Sequence, residues 1–145
     1  MDFSGLEAKL DQIAPNQNIF CAFKIKADFD SMKTRSVPAQ KKPYPPLSQV
    51  TKNQPEFNYK NVSGIIVGFR CPPYVKGINV PGYHLHFISD DFTKGGHILD
   101  FKIKSGKCEI DLCDKFFLIL PKDVTDFENV DLSKDRSEEL MDVER

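Results

Sequence analysis

All three histidines of the chain fall within fourteen residues, from His84 through His86 to His97. Side chains alternate faces along a strand, so His84 and His86 point the same way if this segment is extended. The intervening Ser89-Asp90-Asp91-Phe92-Thr93-Lys94-Gly95-Gly96 is polar and ends in glycines, the composition of a turn. Such a turn returns the chain so that His97 meets the other two from a neighbouring strand. Three neutral imidazoles converging from two strands suit a zinc-like ion with one position open to substrate, a catalytic metal site. The site would keep a charge near +2, because neutral imidazoles cancel none of it. It therefore favours anionic or oxygen-chelating ligands and holds negative charge developing on oxygen. An arginine would fix a substrate carboxylate by paired hydrogen bonds, and the arginines are Arg35, Arg70, Arg136 and Arg145. The competing reading is three polar residues on a solvated sheet face.

The spacing by itself names no enzyme. A cupin would want a glutamate soon after the second histidine, where Ser89, Asp90 and Asp91 stand. An amidohydrolase barrel also begins with His-x-His but needs far more chain.

The elements that must position these side chains are mostly strands. Phe3, Leu6, Leu10 and Ile13 recur at helical spacing, with Asp2 or Ser4 as N-cap and Pro15 as terminator. Residues 18–29 switch to period two. A turn at 28–31 then predicts a hairpin whose second arm is 32–37. Residues 38–55 carry five prolines and read as an extended, irregular connection wrapping one domain. Strands follow at 62–70, 83–89, 97–103 and 108–120, and residues 121–145 form an acidic tail whose end is a frayed helix. The fold class expected is α+β, with one N-terminal helix on a largely antiparallel or mixed sheet.

The whole-chain numbers narrow the function classes. With 145 residues the chain makes one domain, 1–145. Its 40% hydrophobic and 28% charged residues are ordinary for a globular protein, and a net charge of −1 recruits neither nucleic acid nor an acidic membrane. Cys21, Cys71, Cys108 and Cys113 show no CxxC or disulfide-framework spacing, so they read as reduced thiols in a cytoplasmic protein. No secretory signal or membrane-spanning run is visible.

Longer motifs carry a resemblance. These are Ile-Ile-Val-Gly-Phe at 65–69, Lys-Gly-Ile-Asn-Val-Pro-Gly-Tyr-His-Leu-His-Phe-Ile at 76–88 and Gly-Gly-His-Ile-Leu-Asp at 95–100. Before them, in order, stand Lys-Thr-Arg-Ser-Val at 33–37, Lys-Pro-Tyr at 42–44 and Gln-Pro-Glu-Phe at 54–57. Together they closely resemble the alpha-acetolactate decarboxylase family over nearly the whole chain. The resemblance implies a zinc ion (or another divalent metal) on His84, His86 and His97, and decarboxylation of 2-acetolactate to acetoin through a zinc-bound enediolate. It implies that Arg35 positions the substrate and that Glu144, near the C-terminus, delivers the proton. Arg70 reads instead as a strand-end surface charge.

The family fold is α+β with two similar motifs, and this chain resembles the second. The first would supply a further active-site glutamate and part of the sheet. A chain starting partway through is expected to form a homodimer or to join a chain carrying the first motif. The alternative is a non-catalytic metal-binding remnant or interaction subunit without decarboxylase activity of its own.

Overall fold

The structure, a computed structural model, describes residues 1–122 and 125–144. Four long strands dominate: β1 (Phe20–Arg35), β2 (Glu56–Cys71), β3 (Gly82–Ser89) and β4 (Gly95–Cys113). Each pairs antiparallel with its neighbours, and β1 pairs with both β2 and β4, so the sheet closes into a barrel in the order β1-β2-β3-β4. The expected helix on an antiparallel sheet is present, with the sheet closed on itself. A four-stranded barrel is narrow, and glycine is needed where β2 coils over β3. A Cβ on Gly68 would collide with the carbonyl of His84 and the side chain of Leu85.

Helix α1 (Phe3–Ile13) begins where the pattern predicts. Of the two possible caps Asp2 takes the role, its carboxylate accepting from the Gly5 amide at 2.9 Å. Leu6 and Leu10 are buried among Phe23, Ile25, Phe29 and Phe101 of the barrel core. Burying two leucines contributes about 3–6 kcal/mol of transfer free energy, which makes α1 part of the core. A polar lock reinforces it. Arg70, only 3% exposed, donates from Nη1 to Asp11 at 2.7 Å and from Nη2 to the Asn16 carbonyl at 2.9 Å. Tyr83 donates to the same Asp11 carboxylate at 2.6 Å. Arg70 is thus a buried tether between helix and barrel, not the surface charge expected from its place near a strand end.

The expected hairpin at 28–37 is absent, because β1 runs straight through it. Phe23, Ile25, Ala27 and Phe29 face inward, and then Met32 and Thr34 do, so the inward set passes from odd to even numbers. Opposite this step Asn61 takes a φ of 49°, a left-handed conformation that asparagine tolerates. The pairing of β1 with β4 is irregular over the same stretch. The lost alternation and the polar Asp28, Asp30 and Ser31 imitate a turn. Asp28 instead accepts from the Ser63 hydroxyl of β2 at 2.5 Å and the Ser105 hydroxyl of β4 at 3.4 Å.

Likewise the two strands expected over 97–120 are one, and β4 ends at Cys113. Residues 114–121 have no strand partner. The proline-bearing connection contains helix α2 (Leu47–Val50) and a 3-10 turn (Thr51–Asn53) within otherwise irregular chain. Helices α3 (Thr125–Glu128) and α4 (Ser137–Glu144) lie in the tail. All four cysteines are free thiols. Among the described residues no helix is long and apolar enough to cross a membrane.

Candidate metal centre

Along β3, Leu85, Phe87 and Ser89 are buried while the residues between them face outward. His84 and His86 therefore stand together on the outer face of the barrel. The turn at 89–94 is held by Asp91, whose carboxylate accepts from Ser89, Thr93 and Lys94, and these hydrogen bonds hold its pKa far below the ordinary carboxylate value. It returns the chain so that His97 pairs directly opposite His86. Opposite residues of an antiparallel pair share a face, so the third imidazole joins the first two.

The ring centroids lie 5.0 Å (His84–His86), 5.0 Å (His84–His97) and 5.3 Å (His86–His97) apart. One ring nitrogen from each residue lies within 4.8 Å of the other two, and Nε2 of His84 and His86 are 2.9 Å apart. Tetrahedral bonds of about 2.0–2.1 Å from zinc to nitrogen would separate ligand atoms by roughly 3.3 Å. The observed spacings bracket that value, and an all-imidazole donor set suits zinc, so the three residues fit a metal ion of that class.

Close approach of β4 to β1 makes this register possible. Gly96 has φ +140°, and a Cβ there would stand 2.5 Å from the Arg35 carbonyl oxygen. The Thr34 hydroxyl donates across the same contact to the Gly95 carbonyl at 3.2 Å. One step on, Arg35 is the register partner of His97. A single rank thus crosses three strands, Arg35 on β1, His97 on β4 and His86 on β3, all on one face. Arg35 is itself buried. Arg35 and His97, far apart in sequence, have become neighbours.

Beyond the His86–His97 rung β3 and β4 part, since only residues 86–88 and 95–97 are paired between them. A cavity of about 580 Å³ fills the gap. Tyr83 and His84 line it on one side and Ile98 and Leu99 on another, together with the chain from Lys76 to Gly82, Phe3 and Glu7 of α1, and Ser137 and Leu140 of α4. The start of the α4 segment is tied across by an ion pair from Lys76 to Asp135 at 3.7 Å. Burial, and then the neighbouring Asp11, push the Glu7 carboxyl above its ordinary pKa. Glu7 and Leu140 were not expected at the site. Glu7 occupies a polar position of an amphipathic helix, which carries no signal of what lies across the fold. Glu144 is the last residue of α4, and its side chain lies outside the described residues.

Residues 1–134 match the family profile described as alpha-acetolactate decarboxylase. The chain is 44% identical over 144 residues to the alpha-acetolactate decarboxylase of Methanosarcina mazei, an alignment covering 99% of this chain and 50% of that one. The chain belongs to the alpha-acetolactate decarboxylase family. A second member of that family, from Methylococcus capsulatus, is 40% identical over 144 residues, covering 99% of this chain and 55% of its own length. The crystal structure of alpha-acetolactate decarboxylase from Bacillus subtilis strain 168 matches the fold with a TM-score of 0.93 at 36% identity, over 99% of this chain and 62% of that one. The α+β barrel is therefore a fold of the alpha-acetolactate decarboxylase family. This chain spans about half the length of the curated relatives it matches.

Proposed function

We propose that this chain is the metal-binding part of a decarboxylase that converts 2-acetolactate to acetoin. The reaction breaks the bond between the carboxylate carbon and the carbinol carbon. Carbon dioxide leaves, the electron pair moves toward the adjacent ketone oxygen, and one proton is added at carbon. A divalent ion held by His84, His86 and His97, zinc by its donor set, supplies positive charge that lowers the cost of that electron shift. The observation that carries the reading is the rank Arg35–His97–His86, with His84 beside it.

In this reading Arg35 grips the substrate carboxylate through its planar fork. Because Arg35 is buried, its guanidinium is held in place and aims the bond to be broken at the imidazole cluster. The cavity beside His84 gives a small substrate room next to the imidazole cluster. Glu144 serves as proton donor, a role supported by α4 forming part of the cavity wall. The four free thiols support a cytoplasmic setting.

A second reading keeps the metal and drops the chemistry: an interaction subunit that holds the ion without decarboxylase activity of its own. Purified chain, stripped of metal and then titrated with zinc, separates the two. One bound equivalent together with acetoin formation from 2-acetolactate supports the enzyme. One equivalent without acetoin selects the subunit reading, and absence of zinc binding removes both.

A further inference from the structure

Two residues back from His86 on β3 stands His84, and two residues on from His97 along β4 stands Leu99. Continued pairing would set these two opposite each other. The strands part there instead, and both side chains line the cavity between them. The other edge of β4 explains why Leu99 reaches that gap. Thr34 of β1 pairs with Ile98 and Lys33 with Asp100, so Leu99 is an extra residue without a β1 partner, a bulge. Bulges re-aim side chains and break alternation. Ile98 enters the core, while Leu99 is half-buried in the cavity wall. Because Leu99 shares its strand with His97, it is held at roughly two strand steps from the imidazole cluster, about 7 Å.

We propose that Leu99 is a specificity-determining residue, whose side chain packs on the alkyl group of the substrate's carbinol carbon and sets how long that group can be. This role rests on the function proposed above. There Arg35 takes the carboxylate, and Arg35 pairs with His97 from the β1 side of β4. The cavity lies on the opposite side of β4, toward β3. A carbinol carbon held over the histidines with its carboxylate toward Arg35 turns its other groups toward the cavity. The hydroxyl and ketone oxygens are drawn to the charge at the imidazole cluster, which leaves the alkyl group for the apolar wall. The substrate class is then 2-alkyl-2-hydroxy-3-oxo acids, graded by the length of the alkyl chain in front of Leu99.

Binding, measured by isothermal titration calorimetry on the zinc-loaded chain, tests this without turnover. The probes are glycolate and three acids of growing alkyl length: 2-hydroxy-2-methylpropanoate, 2-hydroxy-2-methylbutanoate and 2-hydroxy-2-methylpentanoate. All keep the hydroxyl and carboxylate but lack the ketone that decarboxylation requires. The readout is the affinity of the pentanoate relative to the propanoate. Leu99→Ala should raise that ratio by about fourfold, the worth of one newly buried methylene, and Leu99→Phe should lower it by a similar factor. Glycolate, with no alkyl group, should bind equally to both variants and the parent. Leu99→Val, a smaller change at the bulge, carries the test where alanine disturbs zinc stoichiometry or circular dichroism. Arg35→Ala should weaken all four acids alike. Failure of every acid to bind would remove the underlying site reading, and this role with it. Acids that bind and depend on Arg35, but keep one affinity ratio in all Leu99 variants, would overturn the role of Leu99 alone. A change in glycolate affinity as large as that of its homologues would overturn it too, since the effect would then not act through the alkyl group.

Discussion

The work of His84, His86 and His97 depends on where their rings point, which two different rules decide. Strand alternation aligns the first two, and cross-strand register brings the third. Removing one ring leaves two donors, too few for a closed three-nitrogen site. His86→Ala should therefore lower bound zinc from one equivalent to none after gel filtration, measured by elemental analysis. Full occupancy in that variant would refute the ligand set. In the proposed reading Arg35 serves turnover and not metal binding. Arg35→Ala should keep its metal and lose on the order of a hundredfold in kcat/KM for 2-acetolactate, the usual cost of one preorganised charge-stabilising donor. Lysine, a point charge lacking the planar fork, should recover little of that loss.

At the scale of elements, two contacts hold the site in place. The close approach of β4 to β1 at Gly96 sets the register of His97. Gly96→Ala places a Cβ against the Arg35 carbonyl at a φ of +140°, with an expected cost of about 1–3 kcal/mol in urea unfolding and a marked loss of zinc affinity. The second contact is the lock between α1 and the barrel. Burial pushes the Asp11 carboxyl up, but hydrogen bonds from Tyr83 and Arg70 outweigh it and leave its pKa below the ordinary value. A group lowered on folding gives stability that is complete above the unfolded carboxylate range, near about 4. That stability is lost as pH falls through the lower folded value. Stability should thus decline from about pH 5 downward, and Asp11→Asn should flatten part of the decline. At neutral pH the same variant leaves Arg70 buried without its counter-charge. Because the Asp11 side chain is 43% exposed and partly screened, the expected cost is about 1–2 kcal/mol, below that of a fully buried pair.

Seen whole, the described residues form a closed barrel with a histidine cluster near one end of β1 and an exposed apolar segment after β4. The two features are independent. The imidazole cluster draws on β1, β3 and β4, whereas the segment after β4 touches the barrel through Phe116 stacked on Phe20. Limited chymotrypsin digestion should report the state of that segment. Cleavage should begin at Phe116, Phe117 or Leu118, ahead of any bond inside the barrel. A first cut inside the barrel strands would argue against exposure of the segment.

Much of this was legible in the chain. Helix α1 was visible in the spacing of Phe3, Leu6 and Leu10, the first half of β1 in the alternation of 18–29, and β3 and the 62–70 part of β2 as strands, because those signals depend only on neighbouring residues. The shared direction of His84 and His86 was equally local. What the one-dimensional pattern misread is instructive. The break at 28–31 is a turn signal when read alone, yet β2 and β4 flank β1 on both sides there and keep it extended. Arg70 looked like a surface charge because Asp11, Asn16 and Tyr83 become its neighbours only once the helix docks. Sequence by itself therefore determined the local periods and the set of donor atoms. Tertiary structure alone decided that Arg35 shares a rank with His97 and His86, that β3 and β4 part beside them to open a cavity, and that residues 116–120 remain uncovered. Contacts between strands depend on register, and register follows from closure of the barrel as a whole, not from any one segment.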